Sequence, residues 1–115
     1  MIKGIGTDIA KVNRFLKISE RLKVKVFTQN EIKYLEGKHV ESMAGMFAAK
    51  EAVIKILGAS VFYVHDVEIL HDEKNAPYVK LHDASFNIAR ALDITQIKIS
   101  ISHEKDFAIA MAVAT

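Results

Sequence analysis

The chain has 115 residues, of which 50% are hydrophobic and 26% are charged, and it contains no cysteine. This length suits one domain with an ordinary hydrophobic core, and the lack of cysteine excludes disulfide bonds and thiolate zinc sites. The net charge of +2 hides an uneven distribution, because residues 11–25 contain six Lys or Arg residues and one Glu, a local charge of +5. Such a segment indicates either an anionic partner or a solvated helix face, and composition alone favours neither.

The sequence has no feature of a membrane or secreted protein. No run approaches the ~20 apolar residues that a membrane-spanning helix needs. The N-terminal MIKGIGTDIA also places glycines and an aspartate where a signal peptide is apolar. We therefore expect one soluble, unprocessed domain spanning residues 1–115, located in the cytoplasm and without a membrane partner.

The chain begins with a predicted strand. In GIGTDIA, residues 4–10, the alternation of residues places Gly4, Gly6 and Asp8 on one face. The two glycines leave that face nearly bare, so that a ligand or another backbone could lie against it. Asp8 either binds such a ligand or caps a helix that we expect to start at about residue 11.

Two further helices are predicted in the first half of the chain. Thr28 and Glu31 have the spacing of a capping box, which predicts a helix that starts there and ends at Gly37. The next predicted helix, residues 41–57, ends at Gly58, a residue typical of helix C-termini.

The second half of the chain alternates predicted strands with one helix. The four strands are VHDVEIL, PYVKLH, TQIKISIS and FAIAMAVA. Asp83 is expected to cap a helix between the second and third strands that reaches about Leu92. The resulting order, β-ααα-ββ-α-ββ, predicts an α+β domain with a mainly antiparallel sheet and helices packed on it.

The predicted helix 41–57 carries three charged residues in an otherwise apolar middle. A helical wheel places Lys50 among apolar residues, and Glu51 with Lys55 on an adjacent face that also carries alanines. The small residues would leave a shallow bay that a ligand can enter. In a purely structural interpretation, Glu51 and Lys55 form an i,i+4 ion pair and Lys50 extends its ammonium to the surface.

A catalytic interpretation follows if Asp8 and Glu51 converge. Two carboxylates, together with waters and a substrate phosphate, are the usual ligands of Mg²⁺ in proteins. Lys55, one turn from Glu51, would then neutralise the phosphate. This pattern predicts a phosphoryl-transfer site, and the structural interpretation stays open beside it.

Four motifs occur in a recognisable order: GIGTDIA, FAAKEAVIK, NAPYV and SISH. Together they resemble the bacterial holo-acyl-carrier-protein synthases, which are short 4′-phosphopantetheinyl transferases, and the resemblance covers nearly the whole chain. It implies the fold of that family, a homotrimer, and a place in fatty acid biosynthesis. It also implies the family's reaction, the Mg²⁺-dependent transfer of 4′-phosphopantetheine from coenzyme A to a serine of apo acyl carrier protein, with release of adenosine 3′,5′-bisphosphate.

The resemblance also implies roles for individual residues. Asp8 and Glu51 would be the metal ligands, and Glu51 and Lys55 the catalytic residues. Glu51 would orient or deprotonate the attacking serine, and Lys55 would polarise the phosphate or assist the leaving group. The residues implied for coenzyme A binding are Lys50, Lys55, Pro77 and His103. The residues implied for contact with the acidic carrier protein are Arg14, Lys17 and Arg21.

Two places depart from the family's pattern. Met46 stands where relatives often have Arg, and the segments at residues 36–42 and 58–65 are short. Because those places commonly hold the nucleotide end of coenzyme A, Lys38 or His39 would have to substitute.

The remaining alternative is a non-catalytic basic module that binds nucleic acid. The strands lack the aromatic pair that stacks bases in common sheet-based RNA binders, so we expect no nucleic-acid partner.

Overall fold

The computed structural model describes residues 1–58 and 64–115. Its helices and strands are β1 (Gly4–Lys11), α1 (Glu20–Val26), α2 (Gln29–Leu35), α3 (Val40–Leu57), β2 (Val67–His71), β3 (Pro77–Leu81), α4 (Asp83–Ala91), β4 (Ile97–His103) and β5 (Phe107–Ala114). Short 3-10 helices lie at Val12–Phe15 and Val64–Asp66. The predicted order and the α+β class are therefore confirmed.

The strands form two antiparallel sheets. One has the order β1-β5-β4, and the other pairs β2 with β3. The long helix α3 packs against all three strands of the first sheet. Because β5 places only buried alanines on its inner face, α3 can approach the sheet closely. In this register, Asp8 of β1 and Ile101 of β4 flank the same residue of β5, Ala110.

The bare face of β1 lies against the backbone of α3. A Cβ atom added at Gly6 would lie 1.9 Å from the carbonyl oxygen of Ala52, and one added at Gly4 would lie 2.8 Å from Cγ2 of Ile56. The sequence left open whether a ligand or another backbone lies against this face, and in the structure it is the backbone of α3. The close approach brings β1 next to the charged segment of α3.

Several helix ends agree with the sequence. Thr28 Oγ1 accepts a hydrogen bond from the amide of Glu31 (3.2 Å), and Glu31 Oε1 accepts one from the amide of Thr28 (2.8 Å). The predicted capping box of α2 is thus confirmed. Helix α3 ends at Gly58, whose φ of 67° lies in the left-handed region that glycine adopts readily.

Three boundaries differ from the prediction. The helix expected from residue 11 is only one 3-10 turn, because β1 continues to Lys11, and α1 starts later, after the N-cap Ser19. Strand β2 begins at Val67 rather than at residue 64. Asp83 is the first residue of α4 rather than its cap, since His82 occupies the N-cap position.

Three other observations concern Asp8, residues 59–63 and the length of the helices. Asp8 lies in the middle of β1, so the interpretation that it caps a helix is wrong. Residues 59–63, within the short segment 58–65, lie outside the described residues. In the part of the chain that the structure describes, no helix is both long and apolar enough to cross a membrane.

Candidate active site

Asp8 and Lys55 meet where β1 crosses α3. The ammonium of Lys55 donates to Asp8 Oδ1 (3.1 Å) and to the carbonyl oxygen of Thr7 (2.8 Å). The Lys55 side chain is 55% exposed and that of Asp8 is 18% exposed. Lys55 therefore pairs across to the strand, whereas the intrahelical ion pair with Glu51 is not formed in the described chain. The ammonium stays accessible to a ligand.

Glu51 lies one turn before Lys55 and beside the same aspartate. Burial raises the pKa of the Glu51 carboxyl, and the negative charge of Asp8 raises it further, while Lys55 and Arg14 oppose both effects. The charge of Asp8 therefore acts on Glu51, as the catalytic interpretation requires, and this repulsion favours a bound cation or proton.

Few side chains beside Asp8 and Glu51 could bind a metal ion. Within residues 1–58 and 64–115, no group of three or more His, Asp or Glu side chains is arranged to hold a metal ion. Asp8 and Glu51 alone would leave most coordination positions to water and substrate. That arrangement suits Mg²⁺, which gives up its hydration water reluctantly and is usually held by one or two carboxylates.

A pocket of about 310 Å³ opens beside the N-terminal half of α3. It is lined by Tyr34, Lys38, Ser42, Gly45, Met46, His71, Asn75, Pro77, Ile101 and His103. Pro77 and His103, both predicted from the sequence, thus share one pocket, and Lys38 lies with them. His103 comes close to the helix at Gly45, where an added Cβ would lie 4.0 Å from its ring.

One wall of this pocket consists of two stacked rings. Tyr34 and His71 have ring centres 3.7 Å apart and planes 2° from parallel. The hydroxyl of Tyr34 donates to Asn75 Oδ1 (2.8 Å), and the ammonium of Lys38 lies 4.6 Å from the Tyr34 ring centre. Burial lowers the pKa of His71, as does the charge of Lys38, so its ring favours the neutral form. Its Nδ1 is buried without a hydrogen-bond partner among the described residues.

Sequence reasoning identified neither Tyr34 nor His71 as a site residue. The two residues are far apart in the chain and neither belongs to a motif with recognisable spacing. Only the packing of α2 against β2 brings them together, and no local pattern reports that packing.

Lys50 lies in the core and not in the pocket. Its side chain is fully buried, and its ammonium lies 2.5 Å from Glu31 Oε1. Burial lowers the pKa of Lys50, while the ion pair with Glu31 acts in the opposite direction. Lys50 does not line the pocket, and its ammonium does not extend to the surface as the structural interpretation expected, so no contact in the described residues supports its predicted role in coenzyme A binding. The reason is its place on the apolar side of α3, which directs the side chain into the core, where Glu31 can pair with it.

The basic segment is exposed. Arg14 lies in the 3-10 helix after β1, with its guanidinium 5.3 Å from the ring centre of Phe47. Lys17 and Arg21 are also exposed, and α1 contributes no buried residue. Leu22 and Val24 of α1 are exposed as well, so this surface mixes basic and apolar side chains. The charge of Arg14 acts on Glu51 and opposes the rise in its pKa.

The chain is similar to known proteins over nearly its whole length. The 4′-phosphopantetheinyl transferase superfamily matches residues 4–112. The holo-[acyl-carrier-protein] synthase of Alkaliphilus metalliredigens is 45% identical, with 100% of both chains covered. That of Halothermothrix orenii is 42% identical over 98% of this chain and 97% of the relative.

Solved structures of related proteins have the same fold. The holo-[acyl-carrier-protein] synthase of Neisseria meningitidis matches with a TM-score of 0.88 and 30% identity, covering 100% of this chain and 99% of that one. The Helicobacter pylori enzyme, solved in complex with coenzyme A, matches with a TM-score of 0.82 and 33% identity, covering 96% and 99%. The chain therefore belongs to the 4′-phosphopantetheinyl transferase superfamily, as a transferase related over its whole length to the holo-acyl-carrier-protein synthases.

Proposed function

We propose that this protein is a holo-acyl-carrier-protein synthase. It transfers the 4′-phosphopantetheine group of coenzyme A to a serine hydroxyl of an apo acyl carrier protein and releases adenosine 3′,5′-bisphosphate. The observation that carries this proposal is the convergence of Asp8, Glu51 and Lys55 from two elements. Relatives over the whole chain length bear the name of this reaction. A cytoplasmic location and a place in fatty acid biosynthesis are parts of the same proposal.

Asp8 and Glu51 would hold the Mg²⁺ ion that the reaction requires. Their repulsion, expressed in the raised pKa of Glu51, supports this assignment because a divalent cation would relieve it. When bound, the ion would neutralise charge on the pyrophosphate of coenzyme A. By fixing the position of the ion, the two carboxylates would also help to orient the substrate phosphate toward the carrier serine.

Lys55 and Glu51 would carry the proton and charge changes of the reaction. The serine oxygen forms a bond to the phosphorus of the phosphopantetheine group, and the bond from that phosphorus to the oxygen of the bisphosphate breaks. Glu51 would accept the serine proton. The half-exposed ammonium of Lys55, held by Asp8 and Thr7, would stabilise the charge on the departing oxygen.

The pocket with Pro77 and His103 would hold the nucleotide part of coenzyme A. Lys38 supplies positive charge there, as expected if it substitutes for the arginine that Met46 replaces. The coenzyme A complex of the Helicobacter pylori relative supports a site for this substrate.

Arg14 would bind the acidic carrier protein, with Lys17 and Arg21 adding charge on the same surface. We expect Arg14→Ala to raise the dissociation constant for apo carrier protein on the order of tenfold and to leave coenzyme A affinity nearly unchanged, because an exposed interfacial charge acts on its partner. Calorimetric titration with each substrate measures both. Arg90→Ala is the matched control, because Arg90 is also exposed and stacked on a Phe ring. Equal losses for both substrates in Arg14→Ala would contradict this role.

A homotrimer is also part of the proposal. The outer face of the three-stranded sheet exposes a row of large apolar side chains between 48% and 62% accessible: Ile5, Ile9, Ile109 and Met111. Contiguous apolar surface of this kind is typical of a subunit interface. Sedimentation velocity should give three times the chain mass of 12.8 kDa. A monomer at micromolar concentration would contradict the trimer and leave the reaction untouched.

The reaction itself can be tested by its small product. The protein is incubated with coenzyme A, Mg²⁺ and an apo acyl carrier protein, and nucleotides are separated by anion-exchange chromatography. We expect adenosine 3′,5′-bisphosphate to accumulate only when all components are present. Failure to form it with several carrier proteins would contradict the proposed function. Retention of nucleic acid that weakens steeply with salt would then favour a basic binding module.

A further inference from the structure

The buried ion pair of Lys50 and Glu31 connects three elements. Both side chains have 0% exposure, and their charged atoms are 2.5 Å apart. Glu31 Oε1 also accepts a hydrogen bond from the amide of Thr28 (2.8 Å), and Oε2 accepts one from the amide of Ile69 (2.7 Å). One carboxylate of α2 therefore binds α3 through Lys50 and β2 through Ile69. Both carboxylate oxygens are satisfied, as a buried charge requires.

Glu31, Ile69 and Lys50 each lie two to four residues from a residue that lines the pocket. Tyr34 follows Glu31 by three residues, about one helical turn, and His71 follows Ile69 by two residues, on the same side of β2. On α3, Met46 precedes Lys50 by four residues, again about one turn. Tyr34, His71 and Met46 all line the pocket, and the rings of the first two stack at 3.7 Å. The carboxylate thus sets the separations among three of the pocket's walls.

Stability alone does not explain an ion pair at this place. Burying two charges costs a large desolvation free energy, and apolar residues of similar volume often stabilise a core equally well or better. What apolar residues lack is direction, because only the carboxylate can accept from an ammonium and two backbone amides in one fixed geometry. The pair therefore specifies how α2, α3 and β2 are arranged.

We propose that Lys50 and Glu31 are positioning residues that set the shape of the pocket between α2, α3 and β2, and through it the affinity for coenzyme A. Neither touches the substrate. This inference rests on the proposed function, since it takes the pocket to be the coenzyme A site. It replaces the direct contact that the sequence predicted for Lys50.

The main test uses the double variant Lys50→Met/Glu31→Gln. Lys50→Met alone leaves a buried carboxylate without its cation, which is strongly destabilising, whereas Gln at position 31 removes that charge and keeps an acceptor oxygen for one of the two backbone amides. We expect the double variant to fold, to raise the dissociation constant for coenzyme A about tenfold or more, and to keep the affinity for apo carrier protein. Lys33→Met, an exposed change on the same helix α2, is the matched control and should match the wild type in both.

A second readout does not depend on coenzyme A. Ring currents of Tyr34 shift the His71 ring protons upfield in the stacked arrangement, and His71→Gln identifies their signals among those of the five histidines. We expect these signals to move toward the positions of an unstacked histidine in the double variant and to stay unchanged in Lys33→Met.

Three results would overturn the inference. One is a folded double variant with wild-type coenzyme A affinity and unchanged His71 signals. Another is an equal loss of affinity for both substrates. The third is failure of the double variant to fold, because the pair would then serve folding rather than the pocket. A wild-type protein that binds no coenzyme A would instead contradict the proposed function, and the His71 signals would still test the connection.

Discussion

Glu51→Gln is expected to lower the rate of phosphopantetheine transfer about 1000-fold or more. The change removes a charged oxygen from the pair that would hold Mg²⁺, and it also removes the group that would accept the serine proton. Gln has nearly the same shape, so the packing of α3 against β1 should persist. Steady-state rates at saturating coenzyme A and Mg²⁺ measure the effect, and Glu73→Gln, at an exposed turn, is the control.

The same variant has a predicted stability signature. Burial and the charge of Asp8 raise the pKa of Glu51 in the folded, metal-free protein. The folded state then binds the proton more tightly than the unfolded state, so the free energy of unfolding falls as pH rises through that raised pKa. Gln cannot ionise, so the free energy of unfolding of the variant does not fall in this way. In EDTA, the variant should therefore melt at a higher temperature than the wild type at pH 7.

The stability difference should also depend on pH. It should disappear below about pH 4, where Glu51 is protonated in both the folded and the unfolded protein. Thermal melts in EDTA across this range provide the measurement. A variant that keeps most of its activity, or that melts below the wild type at pH 7 without metal, would contradict the paired-carboxylate site.

Gly6→Ala is expected to lower the free energy of unfolding by about 3 kcal/mol or more and to reduce transfer as well. The new Cβ would lie 1.9 Å from the carbonyl oxygen of Ala52, a backbone atom that cannot turn aside. Strand β1 would have to move away from α3. Because Asp8 lies two residues beyond Gly6 and Glu51 adjoins Ala52, that movement would separate the two carboxylates.

Gly4→Ala provides a matched control on the same face of β1. Its Cβ would approach Cγ2 of Ile56 at 2.8 Å, and that side chain can adjust. We expect a loss under about 1 kcal/mol and nearly normal activity. Urea denaturation and rate measurements on both variants make the comparison. Equal effects of the two substitutions would show that the close approach at Gly6 does not control the site.

Local patterns predicted most of the fold because the responsible interactions are local. The capping box of α2, the end of α3 at Gly58 and the hairpin of β4 and β5 each depend on neighbouring residues. The helix expected from residue 11 failed for the opposite reason. Pairing of Lys11 with Phe107 across the sheet extends β1, and this partner is 96 residues away in the chain.

The site was only partly predictable for the same reason. Asp8 and Glu51 are unusual residues in their own segments, and the resemblance gave them roles before their convergence was known. Lys50 was misassigned because its partner lies on another helix, and a charged residue without a known partner is expected at the surface. Tyr34 and His71 meet only through the packing of α2 against β2, which no periodicity encodes.

The most direct test of the central claim is the intact mass of an apo acyl carrier protein after incubation with this protein, coenzyme A and Mg²⁺. Parallel samples contain EDTA in place of Mg²⁺, or Glu51→Gln in place of the wild type. We predict a gain of ~340 Da, one phosphopantetheine group, only in the sample with wild-type protein and Mg²⁺. No gain in that sample, or an equal gain in the presence of EDTA, would contradict a Mg²⁺-dependent transferase built on Asp8 and Glu51.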